Sequence, residues 1–114
     1  MIFLISQATQ LHFYCKSNEI DKCIKLREQF VEDLKVVGGA GSVRSSPVGP
    51  HPLPMFKSWF DNEHLDKFLR WAMKNRKGLS VVIHLLSGDD QADHRDHSLW
   101  LGEQLALKLA LFTE

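Results

Sequence analysis

Four of the six histidines in this chain lie in short polar segments or at the end of an apolar run. The Gly-Pro-His-Pro segment at 49–52 contains His51, a run of branched residues ends at His84, and a polar stretch farther on contains His94 and His97. Histidine is the commonest metal ligand and the side chain whose pKa is nearest to neutral pH. The pattern therefore indicates metal binding or proton transfer, although it matches neither a zinc-finger nor an HExxH spacing.

The composition is that of one small globular domain with a neutral surface. The 114 residues suit a single hydrophobic core, and 44% hydrophobic with 25% charged residues are ordinary values. Lysine plus arginine and aspartate plus glutamate both number 14, so the net charge of zero argues against nucleic acid or an anionic membrane as a partner. The apolar run at 1–5 is too short to cross a bilayer and lacks the basic start of a secretory signal.

The cysteine content predicts a reduced, cytoplasmic setting. Cys15 and Cys23 are too few for a disulfide framework, and a bridge between them is not required. We expect residues 1–9 to form a weakly patterned lead-in and residues 10–114 to form one domain.

The residue pattern predicts the order strand, helix, strand, strand, helix, strand, followed by a C-terminal extension. This is the order of the ferredoxin-like fold, an α+β fold in which two helices cover one face of an antiparallel sheet and the other face stays open. We expect a polar loop at 87–96, then a short helix and an edge strand as the extension. The predicted strands are 10–15, 43–46, 55–60, 79–85 and the edge strand 108–112, and the predicted helices begin near 17, 61 and 98.

Strand parity places histidines from distant parts of the sequence on one face of the sheet. The apolar neighbours of His12 should face the helices, so His12 itself points to the open face. The same alternation places His84 on the open face of the last core strand. Because these two strands are neighbours in the fold, His12 and His84 can converge, and the proline-rich loop can bring His51 over them. Three imidazoles around one point form a metal site with open positions.

Each histidine also has a purely structural interpretation. A single histidine on a strand, such as His12 or His84, is more often a hydrogen-bonded polar residue than a ligand. His51 between turn prolines fits an ordinary loop residue equally well. His94 and His97 share one side of a helical turn, where flanking aspartates either orient the imidazoles or form a solvated helix start.

Taken together, these segments closely resemble the DOPA 4,5-dioxygenase family. The resemblance is carried by Gly-Pro-His-Pro at 49–52, by the strand that ends at His84, and by the stretch from Gly88-Asp89-Asp90 to Leu99-Trp100-Leu101-Gly102. It covers roughly residues 10 to 112. It implies extradiol ring cleavage of a catechol such as L-DOPA, with O2 and a non-haem Fe(II) ion that Zn can replace.

The resemblance also assigns roles to the histidines. It implies that His12, His51 and His84 are the metal ligands. His94 and His97 match the paired histidines near the C-terminal end, and we expect them to act as catalytic groups that move protons.

Two positions differ from the family pattern. Gln10 stands where the first strand has a histidine in the family, and Leu85 follows His84 where the family has proline. Gln10 could ligate the ion weakly or bind substrate. We expect Gln10, Tyr14 and Trp59 to contact the substrate.

A non-catalytic binding module is the alternative hypothesis. The open face of a small ferredoxin-like domain is a common dimerisation surface, and Trp59 with Tyr14 could form it. In that case the histidines would bind an adventitious metal or none. Under the enzyme hypothesis we expect a homodimer as well, with a catechol and O2 as the small-molecule partners.

Overall fold

The computed structural model describes residues 8–34 and 38–109, which form a five-stranded antiparallel sheet with helices packed on it. The sheet order is β2-β3-β1-β4-β5, and its first four strands have the ferredoxin-like arrangement predicted from the sequence. The strands are β1 (Ala8–Tyr14), β2 (Gly38–Ala40), β3 (Met55–Asp61), β4 (Ser80–Leu85) and β5 (Ser98–Leu101), and the helices are α1 (Ile20–Leu34), α2 (Leu65–Asn75) and α3 (Asp90–Arg95).

The main core lies between one face of the sheet and helices α1 and α2. Leu11 and Phe13 of β1 and Val81 and Ile83 of β4 are buried in this core, as the alternation in both strands predicts. Phe30 of α1 meets Phe13 edge to face, with ring centroids 6.1 Å apart. The residues between these apolar positions therefore project from the opposite face of the sheet.

That opposite face is partly covered, which corrects the prediction of an open face. Tyr14, Met55 and Val82 form a second buried cluster on it. Trp100 of β5 stacks on Tyr14 with ring centroids 5.8 Å apart, and Leu105 packs against the same cluster. The cover forms because the chain after β4 turns back across this face instead of ending at the edge of the sheet.

The second strand lies earlier in the chain than predicted. Gly38–Ala40 is the strand that pairs with β3, and within the predicted strand at 43–46 only Arg44 bridges β3, at Met55. A Cβ atom at Gly38 would collide with the ring of Phe68 and with the carbonyl oxygen of Trp59. The strand therefore needs glycine for this close approach. The sequence pattern suggested only that glycine ends the preceding helix, so the prediction at 43–46 is wrong.

The segment after β4 also differs from the prediction. The predicted loop at 87–96 contains α3, and the predicted helix at 98–106 is instead β5 followed by irregular chain. All four residues of β5 pair with β4, whose backbone groups would otherwise lie unpaired at an edge. Lys108 and Leu109 form no strand, and the rest of the predicted edge strand lies outside the described residues.

Three smaller expectations can be compared with the structure. Strand β1 begins at Ala8, so the last two residues of the predicted lead-in belong to the sheet. Cys15 and Cys23 are both buried and free. Each helix in the described part of the chain is too short or too polar to cross a lipid bilayer. The extent of one domain over 10–114 stays a prediction.

We expect Gly38→Ala to lower the free energy of unfolding by about 1–3 kcal/mol, because the new methyl group has no space beside Phe68. Gly41→Ala is the matched control, since its Cβ would lie 3.8 Å from the nearest atom, the carbonyl oxygen of Lys57. Urea unfolding followed by fluorescence measures both. Equal stability of the two variants would contradict this account of β2.

Candidate metal centre

His12 lies in the middle of the central strand and organises the candidate site. Its Cα partners are Lys57 of β3 and Val82 of β4, and its ring projects from the face opposite α1 and α2. His84 projects from the same face of β4, and its Nε2 atom lies 3.0 Å from Nε2 of His12. The convergence of these two imidazoles, predicted from strand parity, is therefore present in the structure.

Two further imidazoles reach the same place from outside the sheet. The ring centroid of His51 lies 4.4 Å from that of His12, and the ring centroid of His94 lies 4.0 Å from that of His84. One ring nitrogen from each of His12, His51 and His94 lies within 4.8 Å of the other two. We refer to His12, His51, His84 and His94 as the histidine cluster.

A tight turn in the proline-rich loop positions His51. Gly49 has a φ of 57°, the left-handed conformation that glycine adopts without strain. The backbone N–H of His51 donates to the carbonyl oxygen of Val48 at 3.0 Å and closes the turn. The backbone N–H of Lys108 donates to the carbonyl oxygen of Pro50 at 2.8 Å, which joins the C-terminal segment to this loop.

Helix α3 positions His94, and a buried carboxylate holds the helix in place. The side chain of Asp89 caps α3 by accepting a hydrogen bond from the backbone three residues later at 3.0 Å. The carboxylate of Asp93 is buried and accepts from the backbone N–H and the hydroxyl of Ser87, at 2.8 and 2.6 Å. It also lies 3.3 Å from Nδ1 of His97. These contacts fix the position of His94.

Each ring of the histidine cluster uses Nδ1 for a contact with a neighbouring group. Nδ1 of His84 donates to the carbonyl oxygen of Leu85, and Nδ1 of His94 donates to the carbonyl oxygen of Asp90, both at 2.8 Å. A carbonyl oxygen only accepts hydrogen bonds, so both rings carry their proton on Nδ1 and their lone pair on Nε2.

The Nδ1 contacts of the other two rings do not by themselves fix the tautomer. Nδ1 of His51 lies 2.7 Å from the hydroxyl of Tyr14, which can donate or accept, and Nδ1 of His12 lies 3.3 Å from Sδ of Met55. Nε2 of His12 lies 3.0 Å from Nε2 of His84, which is a hydrogen-bonding distance. Since Nε2 of His84 carries the lone pair, Nε2 of His12 donates in this contact, and a metal ion bound at Nε2 of His12 would replace that proton.

Burial keeps His12, His51 and His84 neutral near pH 7. Desolvation lowers the pKa of His12 well below its usual value and lowers the pKa of His51 and of His84 to about 4. Neighbouring imidazoles and the charge of Lys57 lower the pKa of His12 and His51 further. The carboxylate of Asp93 acts in the opposite direction on His84. Neutral imidazoles are the form that binds metal ions.

The structure separates the two histidines to which proton transfer was assigned. His94 belongs to the histidine cluster, whereas His97 turns its ring to Asp93 outside the cluster. Sequence spacing alone could not separate them, because α3 ends at Arg95 and His97 lies beyond its last turn. The catalytic role of His97 stays a prediction, while its observed contact supports α3.

The three predicted substrate contacts lie in different environments. Tyr14 is 1% exposed and holds His51, so it cannot form the exposed dimer surface that the sequence suggested. Gln10 lies on the face of the cluster, with Trp59 and His84 as its Cα partners on either side. Trp59 is 42% exposed on that face. The substrate contacts and the homodimer stay predictions.

Sequence reasoning missed the contribution of β3. Met55 and Lys57 alternate with residues of the main core, so they share the face of Trp59 and of the histidine cluster. The strand alternation that located His12 would have located both of these residues.

Two clefts approach the histidine cluster from different sides. A cleft of about 420 Å³ reaches His12 and His51 from the side of β3 and the proline-rich loop. A mainly apolar cleft of about 340 Å³ reaches His84 from the side of β5 and α2. The cluster is therefore buried but accessible to a small molecule.

The free energy of unfolding of the metal-free protein should fall as pH falls from 6.5 toward 4. An unfolded histidine takes up its proton near pH 6.5, but buried His51 and His84 do so only near pH 4, so acid favours the unfolded chain. The loss should be on the order of 2 kcal/mol. Urea titrations with chelator measure it. His84→Leu should give a shallower pH dependence, and equal slopes for both proteins would contradict the prediction.

Comparisons with known proteins point to one family. The model of the Dopa 4,5-dioxygenase family matches residues 10–111. An uncharacterized 21.2 kDa protein of Botryotinia fuckeliana is 39% identical over 75 residues, and a DOPA 4,5-dioxygenase of Amanita muscaria is 31% identical over 68 residues. These matches cover 57% and 60% of this chain, and they span only 40% and 30% of the two relatives.

A solved structure agrees over nearly the whole chain. The crystal structure of a protein from Nostoc punctiforme, described as a "putative dioxygenase", has a TM-score of 0.83 and 32% sequence identity. The match covers 96% of this chain and 93% of that protein. Since the family model matches most of its length, this chain belongs to the Dopa 4,5-dioxygenase family.

Proposed function

We propose that this protein is an extradiol dioxygenase that opens the ring of a catechol, such as L-DOPA, with O2 at a non-haem ferrous ion. The observation that carries the proposal is the histidine cluster, which brings one ring nitrogen from each of His12, His51 and His94 within 4.8 Å of the other two. Neutral imidazoles suit ferrous iron, and zinc binds to the same donors. Membership of the family supports the oxygenase class.

We assign His12, His51 and His94 as the ligands, because their ligand nitrogens form one group within 4.8 Å. Three imidazole ligands would leave room on a bound ion for a catechol and O2. His84 then becomes the proton acceptor for a catechol hydroxyl. This exchanges the roles that the sequence suggested for His84 and His94.

The surroundings of His84 suit proton transfer. Its Nδ1–H is held by the carbonyl oxygen of Leu85, so the lone pair of Nε2 points to the cluster. Burial lowers the pKa of His84 to about 4, and the carboxylate of Asp93 only partly opposes this shift, so the ring is neutral near pH 7 and its lone pair can accept a proton. Because His84 is only 1% exposed, bulk water does not compete for the proton. His84 therefore takes the proton of the substrate and returns it to the product.

The overall reaction needs no external reductant. When bound, the ferrous ion supplies the redox chemistry that couples the electron-rich ring to O2. The ring bond next to the diol breaks, and both atoms of O2 enter the product, which is a ring-opened semialdehyde acid. Catechol and O2 together contain all atoms of that product.

Protein loaded with ferrous iron without air should turn L-DOPA into a yellow product after O2 is admitted. One O2 should be consumed for each catechol, as measured by absorbance together with an oxygen electrode. His12→Ala should abolish the reaction, because it removes the ligand at the centre of the cluster. His64→Ala, a histidine on the other side of β3, is the control and should keep the activity. Protein that binds iron stoichiometrically yet leaves every catechol intact would favour the non-catalytic module.

Metal binding and turnover should separate His94 from His84. We expect His94→Ala to weaken zinc binding at least roughly tenfold, measured by competition with a coloured chelator. His84→Ala should still bind one zinc ion per chain, while turnover of the iron-loaded variant falls about 10²- to 10⁴-fold. The reverse result, in which only His84→Ala loses the metal, would restore the ligand set suggested by the sequence.

A further inference from the structure

The larger cleft beside the histidine cluster has a distinctive charge. Its walls include His12 and His51 at the inner end, and Lys57 and Arg44 nearer to solvent. The lining contains these two cations and no carboxylate. A volume of about 420 Å³ lies in the range of pockets for small organic ligands.

Backbone pairing places both cations on the face of the cluster. Lys57 is the Cα partner of His12 across β1 and β3, and such partners project from the same face. Arg44 forms an antiparallel bridge with Met55, with N–O distances of 2.7 and 3.1 Å. Met55 contacts His12, so Arg44 shares that face as well.

Neither cation is neutralised by the fold. Within residues 8–34 and 38–109, no carboxylate forms an ion pair with Lys57 or Arg44. The other ion pairs on the surface show that carboxylates are available elsewhere, for example between Arg70 and Asp66 at 2.8 Å. Lys57 is half-buried, so its charge is only partly screened by water. Such a pair of charges attracts an anion into the cleft.

We propose that Lys57 and Arg44 are the residues that bind the carboxylate of the aromatic substrate in this cleft, while the ring hydroxyls lie at the histidine cluster. This inference rests on the proposed function, because it treats the cluster as the reacting centre. It makes Lys57 and Arg44 specificity-determining residues. The two cations lie at the outer end of the cleft, so the carboxylate would be on the side of the ring away from the hydroxyls.

The test compares two ligands that differ only in charge, 3,4-dihydroxyphenylacetate and its primary amide. Calorimetry on the zinc-loaded protein measures their binding without turnover. We expect the acid to bind roughly tenfold more tightly than the amide at low salt, because a charge-assisted hydrogen bond to Lys57 is lost in the amide. The preference should shrink as salt is added, since exposed Arg44 is screened.

Variants that remove one positive charge test whether Lys57 and Arg44 cause the preference for the acid. Lys57→Met keeps the aliphatic length and should reduce the preference for the acid to about threefold or less, and Arg44→Met should have a smaller effect in the same direction. Lys67→Met removes an exposed lysine on α2, across the sheet, and should retain the full preference. Equal binding of acid and amide to the unmodified protein would overturn the inference, as would a full preference in the variant that combines Lys57→Met with Arg44→Met.

The measurements distinguish failure of this inference from failure of the proposed function. If the iron-loaded protein opens neither ring while the zinc-loaded protein prefers the acid, the proposed reaction fails and the anion site stands. If both rings are opened with the same kcat/KM and bound with the same affinity, the reaction stands and the anion site fails.

Discussion

Buried imidazoles need hydrogen-bond partners, and this requirement determines how the histidine cluster is arranged. A neutral imidazole has one N–H that loses water on burial, so it needs an acceptor within the protein. Here the partners come from the protein around the cluster: the carbonyl oxygens of Leu85 and Asp90 accept from His84 and His94, and Tyr14 and Met55 contact Nδ1 of His51 and His12. The same contacts that stabilise the buried rings also orient their ring nitrogens, so stability and metal binding depend on one set of contacts.

The histidine cluster is buried because a covering layer, which includes Trp100 and Leu105, packs on the second face of the sheet. Trp100 lies on Tyr14, and the C-terminal segment is joined to the proline-rich loop at Pro50. Without this layer His51 would lie at the surface and its imidazole would be hydrated. The layer leaves two clefts, and the charges of Lys57 and Arg44 distinguish one from the other. A small ferredoxin-like sheet thus gains an enclosed polar centre.

Strand alternation predicted the site where the local pattern was strong. The apolar residues beside His12 and before His84 decide which face of the sheet those two rings occupy. A shift of the strand register by one residue would turn all the apolar side chains of that strand away from the main core. Prediction failed where long-range packing decides the structure. Gly38 and Gly39 look like a helix terminator in the sequence, but they form part of β2, where Phe68 and Trp59 lie too close for a larger residue. The helix-like stretch that begins at Ser98 forms β5, because its backbone pairs with the edge of β4.

The sequence by itself determined the fold class, the order of the elements from β1 to β4 and the presence of His12 and His84 on one face, because these follow from short-range periodicity and from chain order. Only the tertiary structure decided that His94 joins the cluster, that His97 turns to Asp93, and that Lys57 lines a cleft with no carboxylate among the described residues around it. These outcomes depend on how the proline-rich loop and helix α3 pack against the sheet. Contacts between residues far apart in the chain fix the positions of this loop and this helix, and a local sequence pattern contains no information about such contacts.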